Sequence, residues 1–77
     1  TIDFYLSQNE KASLKLYNLK GQRVKTLVDG FLDKGTHQIS WDGTNDDQEI
    51  LSSGIYFYQL KILNQKTITK KLTLVRY

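Results

Sequence analysis

Four of the chain's eight carboxylates, Asp42, Asp46, Asp47 and Glu49, crowd into WDGTNDDQEILSSGIYFYQL, residues 41–60, just ahead of the aromatics Tyr56, Phe57 and Tyr58. Oxygen ligands at this density could hold calcium, which needs several oxygens converging on one point, with Asp42, Asp46 and Asp47 as the candidate ligands. The calcium-loop pattern fails, however. Begun at Asp42, it puts Asp47 where the turn glycine belongs and Ser53 where the bidentate glutamate belongs. The competing reading is a plain turn, because Asp and Asn bond their own backbone two residues on and tolerate left-handed conformations.

Catalytic chemistry finds less support. The single histidine, His37, shares a strand phase with Ile39 and Trp41, which marks a residue at the core margin rather than a general base. Ser52 or Ser53 with His37 and Asp42 could be drawn as a triad, but no nucleophile elbow or oxyanion motif accompanies them. Asp46 and Asp47 are neighbours on a loop, with nothing to push their pKa values apart. The chain reads as a non-catalytic domain without a cofactor. Tyr5, Tyr17, Tyr56, Phe57, Tyr58 and Tyr77 could stack sugars or bases, yet surface tyrosines are ordinary on strands, and Tyr56 and Phe57 lie in opposite phases.

The formal charge of +3 is unevenly placed: Lys61, Lys66, Lys70, Lys71 and Arg76 lie in the last seventeen residues, which hold no acid. Such a basic end is either an electrostatic patch for an acidic partner or a solvated strand face whose lysines guard an edge. With no cysteine there is no disulfide framework and no thiolate site, which favours a reducing compartment or a bacterial envelope protein with a well-packed core. No apolar run approaches the roughly 20 residues that a spanning helix needs, and Thr1 opens no signal-peptide pattern.

These residues must be positioned by strands. TIDFYLS alternates Ile2, Phe4 and Leu6 against polar neighbours, and ASLKLYN does the same with Ala12, Leu14 and Leu16. Lys20-Gly21-Gln22 reads as a turn, and RVKTLVDG breaks alternation at Val24, Leu27 and Val28, which predicts a bulge or an early strand end. Gly30 and Gly35 bracket a short connection, and THQISW resumes alternation up to Trp41. After the polar loop 42–53, GIYFYQLKIL carries apolar residues in both phases, the pattern of a central strand covered on both sides. NQK turns into TITKKLTLVRY, with Ile68, Leu72 and Leu74 in one phase. Six or seven short strands with no helical period predict an all-β antiparallel sandwich. Tyr56, just past a turn, sits where a tyrosine corner bonds its hydroxyl to backbone, and Trp41 is the natural large core residue. A sandwich without proline leaves open edges through which copies can pair.

The motifs in succession, T-I-x-F-x-L, L-K-L-Y-N-L-K-G-Q-x-V-K-T-L-V-D-G, K-G-T-H-Q-I-S-W-D-G, S-S-G-I-Y-F-Y-Q-L and K-K-L-T-L-V-R, resemble the C-terminal sorting domains (type A) of the type IX secretion system. That family is similar to the immunoglobulin-like domain of the flagellar hook-capping protein. The resemblance spans almost the whole chain and implies an immunoglobulin-like antiparallel β-sandwich of about seven strands. Residues 1–77 would then be one domain excised from a larger secreted protein. It further implies an address: read in the periplasm by the outer-membrane translocon, processed by a sortase, its cargo domain lying N-terminal to it and ending at the cell surface or in the medium. No nucleic acid and no membrane insertion is expected.

Carried across by the resemblance, turn and strand markers fall on Gly21, Gly35, Trp41, Asp42, Gly43, Gly54 and Tyr56. The terminal recognition strand falls on Lys70, Lys71, Leu72, Leu74, Val75 and Arg76. Two departures stand out: Gln48 where the family usually has glycine, and Ser7 where proline is common after the first strand. Both are turn positions, so they bear on local loop geometry. The alternative function for the same fold is an immunoglobulin-like spacer or carbohydrate-binding module of an extracellular enzyme.

Overall fold

A computed structural model describes residues 1–63 and 67–75. The predicted 64–66 turn, Lys66, Arg76 and Tyr77 lie outside the described residues. The alternating segments become six strands: β1 (Ile2–Leu6), β2 (Glu10–Tyr17), β3 (Arg23–Leu32), β4 (Gly35–Ile39), β5 (Gly54–Ile62) and β6 (Thr67–Leu74). All pairings are antiparallel. One sheet holds β1 and β4, and the other runs β3-β2-β5-β6. The count is thus six among the described residues, against the expected seven or so.

Burial follows the period of two. Ile2 and Leu6 of β1 face Ala12, Leu14 and Leu16 of β2 and Leu60 and Ile62 of β5, and these make the core. Leu14 and Leu16 are fully buried. Such side chains each contribute roughly 1.5–3 kcal/mol of burial free energy, the main term holding the sheets together. The chain crosses between sheets after β1, after β3 and after β4, which is what lets a single core close.

Broken alternation in RVKTLVDG marks bulges, as the sequence predicts. The β2–β3 register slips between Leu14 and Lys15 and again between Leu16 and Tyr17, leaving Leu27 and Val24 without direct partners across the ladder. β3 then runs on to Leu32, so the connection to β4 is shorter than the glycines suggest. β5 is central, flanked by β2 and β6, but only one of its phases is covered. Tyr56, Leu60 and Ile62 are buried, whereas Ile55 on the opposite face is 39% exposed and Phe57 is half-buried. Among the described residues nothing covers the outer face of this sheet.

Candidate functional site

The acidic loop is built by its own backbone. The Asp42 carboxylate accepts from the Thr44 hydroxyl at 2.6 Å and the Thr44 N–H at 3.1 Å. Those two bonds, the hydroxyl's first, hold its pKa below the usual carboxylate value, and Lys25 adds to the effect. Asp46 is turned towards β3: its N–H donates to the Val24 carbonyl at 2.9 Å, and its carboxylate accepts from the Thr26 N–H at 3.0 Å. Lys25 reaches the loop from the same strand, donating to the Thr44 hydroxyl and the Asn45 carbonyl. The loop therefore occupies the place of a neighbouring strand along the bulged part of β3. Among the described residues no three His, Asp or Glu side chains gather closely enough to hold a metal ion.

One organising residue of this loop has no counterpart in the sequence reading. The Asn45 carboxamide oxygen accepts from the N–H groups of Asp47 and Glu49, while the Asn45 backbone exchanges bonds with Gln48 and Glu49. Asn18 does the same in the β2–β3 turn: its oxygen accepts from Lys20 and Gln22, and its backbone pairs with Gly21 and Gln22. Even the side-chain bonds match, Asn18 to Gln22 and Asn45 to Glu49. The two five-residue turns are one device used twice. Each needs a left-handed residue at its fourth position, Gly21 at φ +80° and Gln48 at φ +64°. The signal was there in N-L-K-G-Q against N-D-D-Q-E, but the missing second glycine hides it.

A bridge between Thr44 and Ile50 and a bond from the Leu51 N–H to the Gly43 carbonyl close the loop, with Gly43 buried at φ +81°. Trp41, just beyond β4, donates its indole N–H to the Thr44 carbonyl at 2.9 Å and meets Tyr56 edge-on, ring centroids 5.3 Å apart. The Tyr56 hydroxyl donates to the Ser52 carbonyl at 2.8 Å, the corner that its position after a turn predicts. Gly54 opens β5 opposite Leu74, and Gly35 opens β4 opposite Leu6. His37 stacks on Phe4 at 5.2 Å and gives its Nε2 proton to the Asp33 carbonyl. It sits on the small sheet, beside the core rather than in a cleft.

The terminal strand has a different character. Among the described residues β6 bonds only to β5, so its far edge has no strand beside it there. The register pairs Lys70 with Tyr58 and Lys71 with Phe57, which puts the two exposed lysines on opposite faces. Ile68, Lys70, Leu72 and Leu74 form the inner row. Lys71 joins the outer face, where Arg23, Tyr17, Phe57 and Lys71 align across the four strands. Lys11, Lys15 and Lys61 share that outer face with one acid, Asp29. The basic end is thus two surfaces, a lysine over the sandwich interior and a broad basic face outside. Val75, past the strand, is exposed. Of the candidate platform residues, Tyr5 is 68% exposed while Tyr17 and Phe57 are half-buried as a cross-strand pair.

Compared with known protein families, the chain matches FlgD Ig-like domain over residues 1–66, a segment that ends before β6. No curated protein matches the chain.

Proposed function

The chain belongs to the FlgD Ig-like domain family, and from that membership we propose that it is a non-catalytic C-terminal sorting domain of the type IX secretion system. On this reading it directs a cargo protein, joined ahead of residue 1, from the periplasm across the outer membrane to the cell surface or medium. The translocon and a sortase are its partners. The observation that carries the reading is where the terminal motif lies. K-K-L-T-L lies in β6, with Val75 just past it, and among the described residues this edge strand has an open far backbone and two exposed lysines, so a receptor can read it without unfolding the domain. The glycine, tryptophan and tyrosine markers support the reading from the other side, since they act as turn and corner residues and leave β6 to carry recognition.

A second reading, a spacer or carbohydrate-binding module, draws on the Tyr17–Phe57 pair flanked by Arg23 and Lys71 on the outer face. One experiment separates the two. Residues 1–77 are fused behind a periplasm-targeted fluorescent reporter, in a strain with a working type IX system and in its translocon-deficient counterpart. Surface or released reporter only in the first strain is the expected result. Reporter retained in the periplasm of both strains overturns the sorting reading and directs attention to glycan binding.

A further inference from the structure

The two sheets are unequal, and the difference leaves a groove. At about 4.8 Å per strand, a four-stranded sheet overhangs a two-stranded one by roughly 10 Å. On the β3 flank the loop carrying Asp46 fills in. On the β6 flank, among the described residues, the interior is open along β1. Four consecutive β1 residues, Ile2, Asp3, Phe4 and Tyr5, line this groove. Residues of a strand point alternately to its two faces, so four in a row means that the strand's edge forms the wall. Among the described residues β1 bonds to β4 alone, and this edge is the one without a partner there.

The floor is of a different kind. It takes every second residue, Tyr58, Leu60 and Ile62 of β5 and Ile68 and Lys70 of β6, which is the inner face of the large sheet. A second depression sharing Ile2 and Tyr58 continues it to Trp41 along four consecutive residues of β6, Lys71 to Leu74, so there the rim of β6 lines it as well as its inner row. A wall of unpaired backbone over a floor of alternating apolar side chains is the complement of one extended polypeptide. Its main chain would bond to β1, and every second side chain would reach Tyr58, Ile68 and Leu72.

We infer that the groove between β1 and β6 is a receptor slot for an extended strand donated by a partner polypeptide, with apolar residues at alternate positions and a carboxylate facing Lys70. The charge at Lys70 supports a partner of this chemistry. It is the one cation in an otherwise apolar inner row of β6, and its cross-strand neighbour is Tyr58. The groove's one acid, Asp3, belongs to the opposite phase of β1 from the buried Ile2 and Leu6, so it borders the outward side chains of an added strand. The slot therefore reads both phases of its guest: an acid inward, a polar or basic residue outward.

The inference stands apart from the sorting proposal, since peptide binding and reporter export are measured separately and either can fail alone. The probe is the synthetic peptide TVTVTETVT, whose glutamate shares the valine phase, with TVTVTKTVT as its charge-reversed control. Each is titrated into the isotopically labelled chain and followed by amide NMR. The expected result is saturable shifts at Ile2–Leu6 and at Ile68–Leu72 with the glutamate peptide. Lys70→Glu should weaken that peptide by about tenfold and favour the lysine peptide, while Lys11→Glu, on the outer face and away from both depressions, leaves both unchanged. Shifts confined to the outer face, equal effects of the two variants, or no saturable binding overturn the inference. So does a dimer of the chain with β1 amides protected before peptide is added, which makes a second copy the occupant. Protection of the same amides in a longer form of the polypeptide, without peptide, would place its own chain there and equally overturn a partner strand.

Discussion

Gln48 bears a conformational cost that Gly21, its counterpart in the first Asn-centred turn, does not. At φ +64° its Cβ crowds the backbone, which costs roughly 1–2 kcal/mol, partly offset because glycine loses roughly 0.5–1 kcal/mol more entropy on folding. The side chain is exposed, so little else is lost by removing it. Gln48→Gly should stabilise the domain by about 0.5–1 kcal/mol and raise Tm by a few degrees in a thermal melt. An unchanged or lower Tm would mean that the glutamine side chain itself holds the turn. Asp42 gives a second test at this scale. Its lowered pKa means that its contribution to stability is present above 3.8, the ordinary value, and is lost as pH falls through the lowered folded value. Thr44→Val removes the bond that lowers it most, so the carboxyl midpoint followed by NMR should rise towards 3.8; an unmoved midpoint would assign the effect to the Thr44 N–H and Lys25. Tyr56's corner was legible because a tyrosine just past a turn has few other uses for its hydroxyl. Asn45's role was not, because its defining glycine is a glutamine.

Along β3 the unit that matters is strand plus loop. Two bulges leave the strand's Val24 carbonyl and Thr26 N–H facing outward, and Asp46 satisfies both, one with its backbone and one with its carboxylate. This answers the density of acids in the loop: three of the four, Asp42, Asp46 and Glu49, are spent on N–H and hydroxyl donors, and the loop shields an edge that would otherwise invite pairing. Asp46→Ala should cost about 1 kcal/mol, the net worth of such a bond. It should also speed amide exchange at Thr26 well before global unfolding. Unchanged exchange at Thr26 would show that the loop docks through Lys25 and the Asp46 backbone alone. The bulges were legible in the sequence, since Val24, Leu27 and Val28 cannot all fit one period of two. Their partner was not, because a contact between residues 24–26 and 44–46 leaves no local pattern. The apolar residues in both phases of β5 misled for a related reason: Ile55 and Phe57 have the pattern of doubly covered residues, but no second layer lies over them among the described residues.

At the scale of the molecule, the sorting proposal leaves two candidate surfaces for recognition, and adjacent lysines distinguish them. Lys70 overlooks the groove beside β1, and Lys71 stands on the outer face with Arg23, Tyr17 and Phe57, at the rim of the Leu72–Leu74 depression. Both are exposed and neither belongs to the core, so Lys70→Glu and Lys71→Glu should each fold with a Tm close to the parent's. In the reporter fusion the double variant should lose export while remaining folded. The single variants then locate the receptor's footprint. Loss with Lys70→Glu alone places it over the groove, where a strand from the translocon would be recognised by pairing and by charge. Loss with Lys71→Glu alone places it on the basic outer face, where recognition would be electrostatic and weaken steeply with salt. Export at the parental level in all three variants would remove β6 from recognition altogether and leave the family membership without this address. That adjacent lysines point apart follows from the strand period. Which lysine meets which surface depends on the pairing of β6 with β5, and that is set only when the sandwich closes.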